Sequence, residues 1–165
     1  MKFEDMFDRK TLTDRVIDNA EIDDYDLDIG TSGLCAMFAL ALYRVMIRHS
    51  PKLVLVGMER DGKPALARDG NMCWSHAAVL VEGEYYDIEG RQKPEWLKNN
   101  YVWMVKEKAM LYEMTPEGFI HEIKTTSTAR DRSYYVKWRD ALTASYERIT
   151  ADQGQRANVS EPPSL

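Results

Sequence analysis

The chain has 165 residues, of which 44% are hydrophobic and 30% are charged, so it is large enough for one folded domain and too apolar for an intrinsically disordered protein. The formal net charge of −5 argues against a non-specific grip on nucleic acid or on an anionic membrane, because both require clustered Lys and Arg. The start, MKFEDMFDRK, lacks the features of a signal peptide, and no apolar run approaches the ~18 residues of a membrane helix. We therefore predict a cytoplasmic protein that binds neither nucleic acid nor membrane and has no disulfide framework.

The first 30 residues divide into an apolar-periodic part and an acidic part. Residues 1–20 have a loosely helical apolar spacing, which predicts one amphipathic helix or two short ones. The acidic run EIDDYDLDIG at 21–30 resembles the start of a calcium-binding loop, but Gly30 comes one position late and Cys35 stands where the bidentate Glu belongs. We predict a solvated acidic loop over this run.

The next segment predicts the central helix of the domain. Thr31 or Ser32 can cap a helix that is apolar nearly all round and ends at Ser50 and Pro51. A helix that is apolar on every side is buried. Cys35 lies in its first turn.

The middle of the chain predicts an antiparallel sheet. A β-rich run at 53–58 follows the helix, and strands at 75–81 and 84–88 meet across a Glu82-Gly83 turn. The expected fold class is α+β, with the central helix carrying Cys35 packed on this sheet.

The sequence shows no internal repeat and no sign of a second domain. Residues 152–165 have no apolar periodicity and contain two prolines, so we predict a disordered tail after a single domain that covers residues 1–151. The elements predicted before the tail are a helix around 96–101, a strand at 102–105, an ambiguous stretch to 124 and a helix over 131–149.

Cys35 is a candidate nucleophile because the positive end of a helix dipole favours a thiolate. The alternative is that Cys35 merely packs within a buried helix, as free cysteines often do. A thiolate nucleophile needs a base, and His is suited to that role. His49 lies at the far end of the same helix and His121 has no partner signal, which leaves His76 as the candidate base or, alternatively, as a satisfied core imidazole.

The predicted hairpin places acids near His76. If Glu82-Gly83 is a two-residue loop, His76 faces Glu89, and Asp87 is its diagonal neighbour on the same face. Either carboxylate could orient the imidazole. Asp87 lies between apolar neighbours, and a buried acid needs a partner such as His76.

Other signals near these residues are weaker. Cys73 and His76, with Cys35 and Asp87, could in principle surround zinc, but zinc sites are usually built from paired motifs and no second pair exists. No glycine-rich phosphate loop is present either, so we predict no metal and no cofactor. Trp74 either walls a substrate groove or packs at an edge.

Three segments in Cys-His-Asp order resemble a known superfamily. They are the helix head Gly33-Leu34-Cys35-Ala36, the strand start Ser75-His76-Ala77-Ala78-Val79 and the strand Gly83-Glu84-Tyr85-Tyr86-Asp87. Residues 30–92 thereby resemble papain-like proteins, and among them the transglutaminase-like thiol hydrolases. The resemblance implies a papain-like fold in which Cys35 is the nucleophile, His76 the general base and acid, and Asp87 the orienting carboxylate, with Glu89 as its substitute.

The resemblance also implies a reaction. Papain-type peptidases place a Gln upstream of the nucleophile as oxyanion donor, whereas the first Gln here is Gln92. An oxyanion hole would therefore need the Cys35 backbone N–H plus a donor such as Thr31, Ser32 or Asn19. The implied activity is a cysteine-dependent peptidase or amidase that cleaves an amide or isopeptide bond of a protein or peptide through a thioester. Two alternatives are transglutaminase-like acyl transfer or deamidation, and a catalytically inactive papain-like domain that binds a protein partner.

Overall fold

The computed structural model describes residues 9–100, 108–124 and 131–159. Within these ranges, six α-helices and a six-stranded antiparallel sheet form an α+β fold, which confirms the predicted class. The helices are α1 (Leu12–Asp18), α2 (Asp24–Ser32), α3 (Cys35–Val45), α4 (Pro94–Asn100), α5 (Pro116–Lys124) and α6 (Arg132–Val159), with a 3₁₀ helix at Ile47–His49. The strands are β1 (Lys52–Arg60), β2 (Lys63–Pro64), β3 (Trp74–Val81), β4 (Glu84–Asp87), β5 (Gly90–Gln92) and β6 (Lys108–Met114).

Strand β1 lies at the centre of the sheet. It pairs with β3 along one edge, with β6 along the other and with β2 at its end, while β4 and β5 continue outward from β3. Val81 pairs with Glu84, which confirms the two-residue Glu82-Gly83 turn. Both turn residues have positive φ, 50° and 86°, as the right-handed twist of the joined strands requires.

A second tight turn follows at once. Asp87 pairs with Gly90, so the chain reverses at Ile88 and Glu89 into β5, a strand that the sequence did not predict. The strand predicted over 84–88 therefore ends at Asp87, and Glu89 lies in a turn rather than opposite His76, which corrects its predicted position. Alternation of apolar residues cannot distinguish one longer strand from a strand followed by a two-residue turn.

Helix α3 is buried between the sheet and α6. Most of its side chains belong to one hydrophobic core with the inward side chains of β3 and the inner face of α6. Phe38 and Trp138 meet edge to face with ring centroids 5.8 Å apart. The helix that begins with Cys35 is thus fixed on both sides, as an apolar helix in the middle of a domain should be.

The acidic segment is a helix, not the loop that we predicted. Asp23 caps α2, and its carboxylate and that of Asp26 each accept an N–H of the other residue. Asp26 is buried and its Oδ1 lies 2.7 Å from Lys137 Nζ on α6. Burial acts to raise the pKa of Asp26, but these hydrogen bonds outweigh it and lower the pKa. A capping pair and a distant lysine make the segment helical, and the lysine could not be read from local sequence.

Thr31 and Ser32 end α2 and do not cap α3. Their hydroxyls donate to carbonyls of α2, and the residue at the N-cap of α3 is Leu34, which has no side-chain capping bond. The chain bends by 107° between the two helices. Among the described residues, no single helix is long and apolar enough to cross a membrane. The bent pair α2 and α3, taken together, has sufficient length and apolar composition.

The C-terminal third differs from the prediction in two respects. The ambiguous stretch contains β6 and α5, whereas the strand predicted at 102–105 lies outside the described residues. Helix α6 continues to Val159, so residues 152–159, predicted as disordered, are helical. Extending an existing helix costs little because nucleation has already been completed, even though residues 151–156 are exposed. Residues 160–165 lie outside the described part.

Candidate active site

Cys35 is the first residue of α3 and only 6% exposed. The N–H groups of a first helical turn have no acceptor within the helix, and they lie at the positive end of its dipole. These N–H groups can therefore donate hydrogen bonds to a negatively charged oxygen beside the Cys35 sulfur.

His76 is fully buried near the start of β3. It pairs with Val56, and the register shifts immediately afterwards, between Val56 and Gly57, where Ser75 is the extra residue. A β-bulge increases the local twist and redirects the neighbouring side chains. The bulge at Ser75 therefore lies directly beside His76.

Asp87 is 2% exposed and its carboxylate is fully hydrogen-bonded. Its Oδ2 lies 2.9 Å from His76 Nε2. Its Oδ1 accepts the Glu89 backbone N–H at 2.9 Å and the Gln92 side-chain amide at 3.2 Å. Because these bonds fix the carboxylate, Asp87 in turn fixes the plane and orientation of the imidazole.

The imidazole also contacts the thiol of Cys35. Burial alone lowers the pKa of His76, but hydrogen bonds to Asp87 and Cys35, with the negative charge available on both, outweigh it and raise the pKa to about 9. Asp87 occupies Nε2, which leaves Nδ1 as the ring nitrogen available to the thiol. At neutral pH the ring is therefore an imidazolium, which carries an N–H on each nitrogen.

The structure thus brings Cys35, His76 and Asp87 together, and it separates the predicted supporting residues from them. The side chain of Glu89 is exposed, and only its backbone N–H reaches Asp87, so it is not a substitute carboxylate. The hydroxyls of Thr31 and Ser32 donate to Leu27 and Asp28 carbonyls, so they are not available as oxyanion donors.

Three other residues that the sequence analysis considered for the site have structural roles. Trp74 is half-buried and packs against the main core, as an edge-packing aromatic does. Asn19 caps the end of α1, where its amide donates to the Arg15 carbonyl. Cys73 is half-buried and its backbone bonds to Ala65 and Met58.

Gln92 is the site residue that the sequence reasoning missed. We mentioned it only to note that no Gln lies upstream of Cys35 to act as an oxyanion donor. It reaches Asp87 because β4 and β5 form a tight hairpin, which places Gln92 beside the end of β4. The sequence would have predicted the contact between Gln92 and Asp87 only if the tight turn at Ile88-Glu89 had been recognised.

Helix α2 packs tightly against the turn that follows Asp87. A Cβ on Gly30 would lie only 2.3 Å from Ile88 Cδ1 and 3.0 Å from Ile88 Cγ2, so glycine allows the helix to approach the turn this closely. The neighbouring helix α1 is tied to the same hairpin, since Thr11 Oγ1 lies 2.6 Å from the Tyr86 hydroxyl. The hairpin that carries Asp87 is therefore held by two helices.

Within the ranges that the structure describes, no three His, Cys, Asp or Glu side chains are grouped so that they could hold a metal ion. The zinc alternative would have required Cys73, which directly precedes β3. Both cysteines are free thiols.

The chain is thus an α+β domain with a buried cluster in which His76 contacts both the Cys35 thiol and the Asp87 carboxylate. Comparison of the chain with protein-family models, with curated proteins and with solved structures finds no match. The site must therefore be interpreted from its own chemistry.

Proposed function

We propose that this protein is a cysteine-dependent hydrolase with papain-like organisation that cleaves an amide or isopeptide bond in a protein or peptide. The observation that carries the proposal is the chain of contacts from the Cys35 thiol through His76 to Asp87, with 2.9 Å between His76 Nε2 and Asp87 Oδ2. A nucleophile, a base and a group that orients the base are the parts that thiol hydrolysis needs.

In the first half of the proposed reaction, the Cys35 thiolate attacks the carbonyl carbon and forms a carbon–sulfur bond. The His76 imidazolium then donates its Nδ1 proton to the leaving amine as the carbon–nitrogen bond breaks, which leaves a thioester. In the second half, neutral His76 removes a proton from water, the resulting hydroxide attacks the thioester, and the acid product leaves as Cys35 regains its negative charge.

The first-turn amides of α3 supply the oxyanion donors in this proposal. The N–H groups of Cys35 and Ala36 occupy positions that lack an acceptor within the helix. They lie beside the sulfur, where the tetrahedral oxygen would develop its charge. This assignment replaces the side-chain donors Thr31 and Ser32, whose hydroxyls are bonded elsewhere.

The small exposure of Cys35, 6%, limits the acyl groups that reach it. A slender chain, such as an extended side-chain amide or an isopeptide, fits this restriction better than a bulky main-chain segment. We therefore favour side-chain carboxamides and isopeptides as the substrate class within the proposal.

The test is the rate at which iodoacetamide alkylates Cys35 at neutral pH, read by peptide mapping with Cys73 as the internal reference. We expect Cys35 to react faster than Cys73 and to lose at least about tenfold in rate in His76→Gln, because the imidazolium that stabilises the thiolate is gone. His121→Gln is the matched control, since His121 is exposed on α5. Circular dichroism establishes that each variant is folded.

Two outcomes would redirect the proposal. If Cys35 is inert and His76→Gln changes nothing, the cluster is structural and the domain is a binding module. If Cys35 reacts as expected, products formed from a glutamine peptide with and without a primary amine separate hydrolysis from transfer. Incorporation of the amine would identify an acyltransferase in place of a hydrolase.

A further inference from the structure

A concave site lies away from the Cys35–His76–Asp87 cluster. It is a groove of about 750 Å³ between α3, α5 and the first turns of α6, with β1 beneath. Cys35 is not among its lining residues. The volume lies within the range of roughly 300–1,000 Å³ that is typical of small-molecule sites.

The interior of the groove is apolar. Leu53 of β1, Met37 of α3 and Ile123 of α5 are buried side chains that form part of its wall, and Ile120 is 40% exposed beside them. Exposed large apolar side chains that face a concavity mark a ligand site more often than a random surface does. An apolar group of a ligand would cover Ile120.

The rim of the groove is basic. It is formed by Arg44 on α3, Lys124 on α5, and Arg132 and Arg139 on α6, and no acidic residue is among its lining residues in the part of the chain that the structure describes. Arg139 bonds to Asp140, outside the groove, and its guanidinium lies over the Tyr135 ring. For a protein of net charge −5, a groove that is lined by four cations, one of them paired with Asp140, is locally basic.

We propose that this groove binds a single-chain anionic amphiphile, with the chain in the apolar interior and a carboxylate head on the basic rim. Arginine and lysine bind carboxylates through charge-assisted hydrogen bonds, and the apolar walls match a hydrocarbon chain. The apolar residues line a concavity and do not protrude as a membrane-inserting surface does, so the ligand is a free molecule and not a bilayer.

The experiment measures binding of dodecanoate, below its micelle concentration, to the full chain by isothermal titration calorimetry. Dodecyltrimethylammonium, with the same chain and a cationic head, and acetate, with the head alone, are the two ligand controls. We expect dodecanoate to bind at one site, the cation to bind at least about tenfold more weakly, and acetate not to bind.

Two double variants test the location. Arg44→Glu with Arg132→Glu reverses two rim charges, and both residues are exposed, so the fold is not expected to change. We expect dodecanoate affinity to fall at least about tenfold. Arg48→Glu with Arg156→Glu makes the same change in net charge at exposed positions outside the groove, and it should leave the affinity within about twofold.

The proposal is wrong if dodecanoate does not bind, if the cationic amphiphile binds equally well, or if the two double variants behave alike. It is also wrong if dodecanoate fails while phosphatidylglycerol vesicles or an acidic apolar peptide bind, since the rim would then serve a membrane or a protein. None of these outcomes depends on the reactivity of Cys35, so this proposal and the proposed hydrolase fail independently.

Discussion

At the scale of single residues, the carboxylate of Asp87 organises the candidate site. It accepts hydrogen bonds from the His76 ring, from the Glu89 backbone N–H and from the Gln92 side-chain amide. These donors fix the orientation of the buried carboxylate, so its charge lies against the His76 ring and stabilises an imidazolium there. The basicity of His76 is therefore a property of the whole cluster.

The raised pKa of His76 predicts a pH dependence of stability. Its pKa is about 9 in the folded chain against 6.5 ordinarily, so the protonated ring stabilises the fold fully below pH 6.5, and this contribution is lost as pH rises through 9. Over that interval, wild type should lose about 3 kcal/mol of unfolding free energy relative to His76→Gln.

Urea unfolding of the two proteins across this pH range measures the difference, and titration of the His76 ring signals by NMR locates the pKa directly. Groups remote from the Cys35–His76 pair titrate alike in both proteins and cancel in the comparison. Parallel pH profiles, or a ring that titrates near 6.5, would contradict the imidazolium assignment.

Gln92 offers a second residue-scale prediction. Gln92→Glu places a second carboxylate against Asp87 and removes a donor at 3.2 Å, which should destabilise the fold by about 1–3 kcal/mol at neutral pH. The penalty should shrink as pH falls, because the introduced carboxyl takes up a proton more readily beside Asp87 than in the unfolded chain.

Urea unfolding at neutral and acid pH checks this expectation. Gln153→Glu, on the exposed end of α6, makes the same chemical change without a carboxylate partner and should have little effect. Equal effects of the two substitutions would show that the Gln92 contact does not support Asp87.

At the scale of elements, the contact between α2 and the β4–β5 turn decides where Asp87 lies. Gly30 allows the helix to approach Ile88, the residue directly after Asp87, and no larger residue fits without a shift. The bent pair α2 and α3 therefore joins the turn after Asp87 to the helix that begins with Cys35.

Gly30→Ala tests this packing. In most helices Gly→Ala stabilises by up to about 1 kcal/mol, but here the new methyl would lie 2.3 Å from Ile88 Cδ1 and overpack the contact. We expect a loss of about 1–3 kcal/mol in unfolding free energy, partly recovered when Ile88→Val removes that methyl group.

Gly154→Ala is the matched control, because Gly154 is also helical and an added Cβ there would meet nothing within 4 Å. It should be neutral or stabilising in the same denaturation experiment. A neutral Gly30→Ala variant would mean that α2 can move away from the turn without cost.

At the scale of the whole molecule, α6 holds the layers together. Trp138 is fully buried against Phe38, and the Ser145 hydroxyl donates to the Val16 carbonyl of α1 at 2.7 Å. Lys137 on the same helix pairs with Asp26 of α2. One helix from the C-terminal third thus covers the three N-terminal helices.

Trp138→Ala should therefore cost about 3–5 kcal/mol of unfolding free energy, a large part of the stability of a domain of this size. Trp96→Ala removes an indole that is 40% exposed on α4 and should cost about 1 kcal/mol or less. Thermal and urea unfolding compare the two. Similar costs would show that α6 contributes little to the core.

The sequence predicted much of the scaffold because its signals are local. The apolar helix after Gly33 and the Glu82-Gly83 hairpin follow from hydrophobic periodicity and turn chemistry, and both are present. The helical state of residues 24–32 and the strand β5 were missed. The helix depends on the Asp23–Asp26 capping pair, a local signal that we did not recognise, and on a lysine more than one hundred residues away. Strand β5 depends on a second tight turn without a strong sequence signal.

By itself, the sequence determined the α+β class and nominated Cys35, His76 and Asp87, because residue types and their order along the chain carry that information. Only the tertiary structure decided that Asp87, and not Glu89, meets His76, that Gln92 supports it, and that Thr31 and Ser32 are engaged elsewhere. Those outcomes depend on a turn at Ile88-Glu89 and on the bend between two helices. Distances across a fold arise from packing between segments that are remote in sequence, and no local pattern encodes them.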